Sequence, residues 1–151
     1  MLPPALPIDA GERAQATGLT DWPGHGANLP LLQQVAAGGG FLGAPVDPDG
    51  VVRRGWLLAR HADQIHGALP LIMARLLLGD PALRLHFADP LPGQTTGPPL
   101  TAIELHSTRG SRLIAVDRQG AVLLPFRQAA GGFHYHSAAD VAAGRLPGEA
   151  L

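Results

Sequence analysis

The segment PVDPDGVVRRGWLL, residues 45–58, places two aspartates and a glycine between two apolar runs. Asp-Pro-Asp-Gly is typical of tight turns, and Gly50 can adopt the positive φ that such turns need. The flanking runs, FLGAPV and VVRRGWLLA, contain β-branched and aromatic residues, which predicts a short β-hairpin. Asp47 and Asp49 have the spacing of calcium ligands. The following Val-Val-Arg cannot continue an EF-hand loop, so we interpret both acids as turn residues.

Arg53 and Arg54 lie on the strand that is predicted to leave this turn. Successive side chains of a strand point to opposite faces, so one arginine can face solvent while the other faces the packed side. A buried arginine needs carboxylate or carbonyl partners, or else it marks a site for an anion. Three interpretations stay open: an internal ion pair, a bound anion, or two solvated arginines.

Two helices are predicted on either side of this region. NLPLLQQVAAGGG, from residue 28, has Asn28 as a helix cap and apolar residues at helical spacing before a run of glycines. HGALPLIMARLLLG, residues 66–79, ends at Gly79 and Pro81. The apolar residues that we expect on one face of the second helix are Leu69, Ile72, Met73, Leu76 and Leu77.

Strand-like runs dominate the rest of the chain. LRLHF, TAIELH and SRLIAVDRQGAVLLPF are apolar and alternating, and the last contains a second turn, Asp117 to Gly120. A short helix is predicted from Ser137, which has the capping-box spacing with Asp140. The predicted fold class is α/β or α+β, a mixed β-sheet with a few packed helices in one domain. Residues 1–28 are expected to be loop or a terminal segment, and residues 29–151 to form the domain.

Composition excludes several functions. The 151 residues carry a formal net charge of −1, which provides no field to attract nucleic acid. There is no cysteine, so disulfides, thiolate catalysis and cysteine zinc sites are excluded. The first residues lack the pattern of a signal peptide, and no apolar run reaches the roughly 18 residues that a membrane span needs.

The histidines offer a second chemistry. In FHYHS, His134 and His136 would share one face of a strand, a usable geometry for a divalent metal. A third ligand is not evident, because the other candidates are scattered: His61, His66, His86 and His106. No nucleophile elbow or phosphate loop occurs, and we predict no cofactor. A metal-dependent hydrolase built on His134 and His136 stays open as an alternative.

Two blocks of the sequence resemble the second CHASE family, sensory domains associated with cyclases and histidine kinases. The first, residues 31–79, has an Ala/Gly-rich helix end, an apolar strand, a D-x-D-G turn, V-V-R-R and a further apolar strand. The second, residues 113–151, has a D-x-x-G turn, a strand ending in Phe-Arg, a Gly-Phe element and a small helix. The chain departs from the family pattern at Ala68, where serine is more usual, and at His136, which separates Tyr135 from Ser137.

The resemblance implies a function without chemistry of its own. Members are extracytoplasmic parts of inner-membrane receptors, so we expect this chain to be the C-terminal portion of such a domain, membrane-attached only through absent parts. We expect a homodimer and a small anionic ligand. The expected polar groups of its pocket are Arg53 or Arg54, with Arg127 and Tyr135. A structural module that dimerises through the helix at residues 69–77 is a third possibility.

Overall fold

The fold consists of short helices and strands that surround one apolar core. The computed structural model describes residues 5–89, 97–107, 110–126 and 135–145. The helices are α1 (Ala10–Gln15), α2 (Pro30–Val35), α3 (Leu69–Leu77) and α4 (Ala138–Ala142). The strands are β1 (Arg54–Trp56), β2 (Leu58–His61), β3 (Gln64–Gly67), β4 (Ala82–Phe87), β5 (Leu100–Ser107), β6 (Gly110–Ala115) and β7 (Ala121–Leu123).

The strands form three small antiparallel sheets. β2 and β3 are a hairpin, β4, β5 and β6 follow one another in a meander, and β1 pairs with β7. The β2–β3 turn has positive φ at both central residues, Ala62 (47°) and Asp63 (59°), which is the type I′ geometry that two-residue hairpins favour. The predicted mixture of helices and strands in one domain is confirmed, with the strands divided among separate sheets.

The hairpin predicted around Asp47–Gly50 is only half correct. The turn forms: the Gly50 amide donates to the Asp47 carbonyl at 2.8 Å, and Gly50 has φ +80°. The segment before the turn does not pair with the segment after it. Phe41 instead bridges Ala68 beside the start of α3, and β1 pairs with β7. Backbone groups thus find their partners far along the chain, where a local pattern cannot show them.

The described part of the segment 1–28 is irregular apart from the short helix α1, but it packs into the core. Asp9 caps α1 by accepting hydrogen bonds from the amides of Gly11 and Glu12. Arg60 on β2 donates to two carbonyls at the end of α1, those of Arg13 and Ala16. Four apolar residues of the segment are buried in the core: Leu6, Ile8, Ala16 and Leu19. These four residues have no regular spacing in a segment rich in proline and glycine, so the sequence pattern does not predict their burial.

The helix predicted from Asn28 begins at Pro30 and ends at Val35. Asn28 does not cap it, because its side chain accepts from the adjacent amide of Leu29, which is itself the N-cap residue. The apolar residues of α2 do not reach the core: Leu31 is 74% exposed and Val35 is 81% exposed. The spacing thus predicts the helix correctly, but within the described chain none of the apolar residues of α2 is buried.

The second helix ends where predicted, but it packs through a different face. Gly79 has φ +80°, as a residue after a helix often does. The buried residues of α3 are Leu71, Ile72 and Arg75. Met73 and Leu77, which belong to the predicted apolar face, are 54% and 85% exposed. Arg75 is buried in their place, and its guanidinium binds Asp80 at 2.6 Å and the carbonyl of Pro81 at 3.3 Å.

The core lies between the β4–β5–β6 sheet, the β2–β3 hairpin, α3 and the N-terminal segment. β4 alternates regularly, since Leu83 and Leu85 are buried while their neighbours are exposed. Among the described residues, the largest fully buried side chains are Leu58, Ile65, Ile103 and Leu105. Within the described ranges, no helix has the length and apolar character that crossing a bilayer requires. The hairpin is thus anchored on one face by the core, and its other face is left to form a pocket.

Candidate functional site

Two turns of the same design lie side by side next to the β1–β7 pair. In each, the glycine amide donates to the carbonyl of an aspartate three residues earlier, at 2.8 Å in Asp47–Gly50 and 2.9 Å in Asp117–Gly120. Asp117 also accepts the amides of Gln119 and Ala121 through Oδ1, both at 2.9 Å. Its other carboxylate oxygen, Oδ2, remains for a side-chain donor.

Arg54 joins the two turns. Its guanidinium donates to Asp47 Oδ1 at 2.8 Å and to Asp117 Oδ2 at 3.1 Å. Arg53 donates twice to the carboxylate of Asp49, at 2.9 and 2.7 Å, and once to Asp47 at 3.0 Å. The internal ion pair, one of the three interpretations left open by the sequence, is therefore present for both arginines. Asp47 and Asp49 are turn residues and ion-pair partners at once.

The pKa values of these groups shift in the directions that the contacts require. Hydrogen bonds from Arg54 and then Arg53 hold the pKa of Asp47 below its ordinary value. The pKa of Asp49 is lowered by Arg53 and by the amide of Val51. The same contacts raise the pKa of both arginines, through Asp49 for Arg53 and through Asp47 for Arg54. All four groups are thus charged near neutral pH and satisfy one another.

The residues predicted to line a pocket are not brought together in the described chain. Arg53 and Arg54 are neighbours, but their guanidinium groups are engaged by carboxylates. The Tyr135 side chain is 91% exposed. Arg127 lies outside the described residues. Their role as ligand-binding residues remains a prediction.

The two histidines predicted as a metal pair, His134 and His136, are not both among the described residues. His134 lies outside the described residues, and His136 is exposed. Among the residues that the structure describes, no group of three or more histidine, aspartate or glutamate side chains is arranged to hold a metal ion. The alternative of a metal-dependent hydrolase gains no support from the described geometry.

A pocket of about 440 Å³ lies on the outer face of the β2–β3 hairpin. This volume falls within the range of about 300–1,000 Å³ that is usual for small-molecule sites. We call it the histidine pocket, after three of its lining residues. Its lining residues are Trp22, Gly24, His25, Gly26, Asn28, Gly40, Phe41, Leu42, Ala59, Arg60, His61 and His66.

Backbone hydrogen bonds fix both walls of the histidine pocket. On one side, the Trp22 amide donates to the Arg60 carbonyl at 2.9 Å, and Asp21 and Arg60 form a parallel bridge. On the other side, the Phe41 amide donates to the Gly67 carbonyl at 3.1 Å. The rings of Trp22 and Phe41 then meet edge to face, with their centroids 4.6 Å apart. The aromatic wall is therefore held by the same hairpin that forms the floor.

Two glycines allow the chain to pass this close. A Cβ atom on Gly40 would lie 2.5 Å from the amide nitrogen of Leu69, a separation that real Cβ atoms do not show. A Cβ atom on Gly43 would lie 3.3 Å from the rings of both Trp22 and Trp56. The run of glycines that seemed only to end a helix therefore also lets residues 40–43 lie against α3 and the aromatic rings.

The imidazoles form one side of the pocket. His25 and His61 have ring centroids 5.3 Å apart, and those of His61 and His66 are 6.3 Å apart. His61 Nδ1 lies 2.7 Å from the carbonyl oxygen of Trp22. Because a carbonyl oxygen can only accept, Nδ1 carries the hydrogen of this bond. The second nitrogen of the ring then accepts a hydrogen bond when the ring is neutral and donates one when the ring is protonated.

Strand periodicity in residues 57–67 indicates part of this pocket, whereas helical periodicity does not. His61 and His66 are five residues apart, which does not bring them together on a helix. Across a two-residue hairpin turn, however, His61 pairs with Gln64 and His66 pairs with Ala59, so both histidines lie on one face. The alternation of LLARHADQIHG around Ala-Asp predicts this hairpin once it is tested with strand periodicity. No local pattern indicates that Trp22 and Phe41 cover it.

The remaining two histidines of the predicted set also come together. His86 Nε2 lies 2.8 Å from Glu104 Oε2, and His106 Nδ1 lies 2.7 Å from the Ser111 hydroxyl on the solvent face of the β4–β5–β6 sheet. Ser111 and then His86 lower the pKa of Glu104. This exposed cluster is a polar network on the solvent face of the sheet.

Comparison with known proteins identifies the class of this domain. The family model for the CHASE2 domain matches residues 10–150. The chain belongs to the CHASE2 domain family, the extracellular sensory domains of signalling receptors. The match includes α1, which agrees with the burial of the N-terminal segment in the core. The curated proteins contain no match to this chain, and neither do the solved structures.

Proposed function

We propose that this domain is the extracytoplasmic sensor of a bacterial membrane receptor with a cyclase or histidine-kinase output. In this proposal it binds a small ligand, performs no chemistry of its own, and passes the signal on by a change in the arrangement of two copies. A ligand can do this only through a difference in its affinity for the two arrangements. Membership of a sensory family supports the proposal, and the histidine pocket is the observation that carries it.

The histidine pocket is a better candidate for the ligand site than the arginine cluster. The guanidinium groups of Arg53 and Arg54 already donate to three aspartates, so a ligand anion would have to displace those carboxylates. The pocket is concave, and rigid backbone contacts hold its two aromatic residues. A site that is formed in advance loses less entropy when a ligand binds.

A thermal-shift screen of the purified chain tests the proposal. Small organic acids, amino acids, nucleotides, neutral aromatic compounds and divalent metals are the panel. A compound that binds the folded state at a hundredfold excess over its Kd adds about 2.7 kcal/mol to the free energy of unfolding. We expect at least one organic compound to raise Tm in the parent and in Arg53→Gln, and to lose its effect in Trp22→Ala. If no compound raises Tm, the ligand-sensing proposal is wrong.

A purely structural dimerisation module is the second candidate, and the exposed face of α3 favours it. Met73 is 54% exposed and Leu77 is 85% exposed, and both belong to the apolar face predicted for this helix. Beside them runs a groove lined by Leu76, Leu78 and Pro81. A second copy related by a two-fold axis could place its Leu77 in this groove while receiving the first copy's Leu77 in its own.

Light scattering on the parent and on Leu77→Asp tests the second candidate. We expect the parent to have the mass of a dimer and the variant that of a folded monomer, whose Tm is lower only by the stabilisation that association provides. Leu31→Asp, on the exposed side of α2, is the matched control and should leave the mass unchanged. A monomeric parent would remove the support for dimerisation through α3.

A further inference from the structure

We infer that the histidine pocket binds a small organic anion with a flat apolar body, such as an aromatic carboxylate. The inference rests on the proposed function of the domain as a ligand sensor and assigns the chemical class of its ligand. Three observations carry it: the aromatic wall, the kinds of charge that line the pocket, and the hydrogen bond that fixes the ring of His61.

The aromatic wall selects a flat apolar body. Trp22 and Phe41 are in edge-to-face contact, and Trp56 supports Trp22 from behind with ring centroids 5.9 Å apart. Backbone bridges at residues 21 and 41 hold both sides of the wall. A ring on a ligand can pack against fixed aromatic surfaces at little entropic cost, and such contacts favour offset or edge-to-face geometry.

The lining charges select an anion. The described lining includes three histidines and one asparagine, and it contains no aspartate or glutamate. A cationic ligand would therefore lose water without gaining a counter-charge, whereas a carboxylate would gain one from a protonated imidazole. The guanidinium of Arg60 donates to carbonyls of the α1 end, so the imidazoles are the groups best placed to bind the anion directly.

The bond from His61 to Trp22 couples anion binding to a proton. Because Nδ1 donates to the carbonyl, Nε2 can donate to a carboxylate only in the protonated ring. The titratable or charged residues of the lining are His25, His61, His66 and Arg60, and the guanidinium of Arg60 is bound to the carbonyls of Arg13 and Ala16. Asp21 and Asp63 adjoin it in the chain, and both are exposed. A protonated imidazole binds a carboxylate more strongly than a neutral one, so anion binding should strengthen as the pH falls.

Tryptophan fluorescence tests the assignment, because the chain has two tryptophans and one of them lines the pocket. In Trp56→Phe, the emission comes from Trp22 alone. We expect benzoate to change it saturably, with a Kd in about the millimolar range or tighter. Benzyl alcohol, which has the ring without the charge, should bind about tenfold more weakly at pH 6. The difference in affinity between benzoate and benzyl alcohol should be smaller at pH 8. Acetate, which has the charge without the ring, should cause no saturable change in Trp22 emission.

Histidine variants separate a direct role from a structural one. His25→Gln/His61→Gln keeps an amide donor for the Trp22 carbonyl and should weaken benzoate about tenfold without affecting benzyl alcohol. His136→Gln, at an exposed histidine outside the pocket, is the control and should change neither. Equal binding of benzoate and benzyl alcohol, equal weakening of both by the double variant, or no saturable change with benzoate would each overturn the inference.

Failure of the assigned ligand class can be distinguished from failure of the sensor proposal itself. If a neutral or cationic compound from the thermal-shift panel changes Trp22 emission saturably and benzoate does not, the assigned ligand class is wrong and the sensor proposal stands. If no compound in the panel stabilises the chain, the sensor proposal fails as well.

Discussion

Arg54 bonds to one aspartate in each of the two turns, Asp47 and Asp117, at the start of the paired strands β1 and β7. Arg53, one residue earlier, bonds only within the first turn, to Asp47 and Asp49. The two arginines are adjacent in sequence, but only Arg54 joins segments that are distant in the chain. A double-arginine motif that suggests a ligand site can thus be satisfied by the fold alone.

Substitution of the two arginines should therefore have unequal effects on stability. We expect Arg54→Met to lower Tm, because Asp117 and Asp47 lose the donor that holds the two turns together. Arg53→Met should lower it less, since Asp47 still binds Arg54 and Asp49 is exposed. Thermal unfolding followed by circular dichroism measures both. A larger effect at Arg53 would show that the bridge between the turns is unimportant.

The lowered pKa of Asp47 predicts the pH dependence of this bridge. A carboxylate whose pKa is lower in the folded state stabilises the fold fully above its unfolded pKa of about 3.9, and the stabilisation is lost as pH falls through the folded pKa. Asp47→Asn should lower Tm at pH 7, and the difference from the parent should shrink steadily below about pH 4. A difference that does not change between pH 7 and pH 3 would contradict the ion-pair account.

At the scale of elements, the two turns provide a matched pair. Gly50 and Gly120 have φ of +80° and +74°, and both follow an aspartate by three residues. A Cβ atom on Gly50 would meet nothing within 4 Å, whereas one on Gly120 would lie 2.7 Å from Leu19 and 3.0 Å from Leu58. One turn projects into solvent and the other is packed against the core.

Alanine at the two glycines should separate backbone strain from packing. Gly50→Ala should lower the free energy of unfolding by about 1–2 kcal/mol, the cost of a left-handed conformation for a residue with a Cβ atom. Gly120→Ala should lower the free energy of unfolding by about 1–3 kcal/mol more than Gly50→Ala does, because Leu19 and Leu58 must also move. Urea denaturation gives both values. Equal losses would mean that the second turn is not packed as the structure shows.

The elements were predictable from sequence to the extent that local chemistry determines them. The turn at Asp47–Gly50 and the end of α3 at Gly79 follow from glycine and aspartate alone. Strand alternation also revealed β4 and β5. The packing partners of the elements were not predictable: α3 buries Arg75, which the apolar pattern assigns to the polar face and which Asp80 neutralises. Long-range contacts such as the bridge from Phe41 to Ala68 carry no local signal.

The same reasoning explains why the histidine pocket was missed. His61 and His66 are five residues apart and come together only because β2 and β3 form a hairpin. Trp22 reaches them from a segment expected to be loop, and Phe41 reaches them from a strand expected to pair across the Asp47 turn. A pocket formed by segments 20–40 residues apart appears only when their backbone pairing is known.

For the molecule as a whole, the N-terminal segment is part of the core. Leu6 is 6% exposed and belongs to the same apolar cluster as the central strands, whereas Leu29 is 67% exposed. Leu6→Ala should lower the free energy of unfolding by about 2–5 kcal/mol. Leu29→Ala, the matched control, should change it by less than about 0.5 kcal/mol. Similar small effects at both positions in urea denaturation would show that residues 5–28 do not stabilise the domain.

The central claim is that the ligand of this sensory domain binds at the histidine pocket and not at the arginines. A two-dimensional ¹H–¹⁵N NMR titration with benzoate tests it directly, because the two tryptophans give two indole signals, which Trp56→Phe assigns. The account predicts a saturable shift of the Trp22 indole signal and of the His61 amide, while the amides of Arg53 and Arg54 stay in place. Shifts at the two arginines with an unchanged Trp22 signal would contradict it.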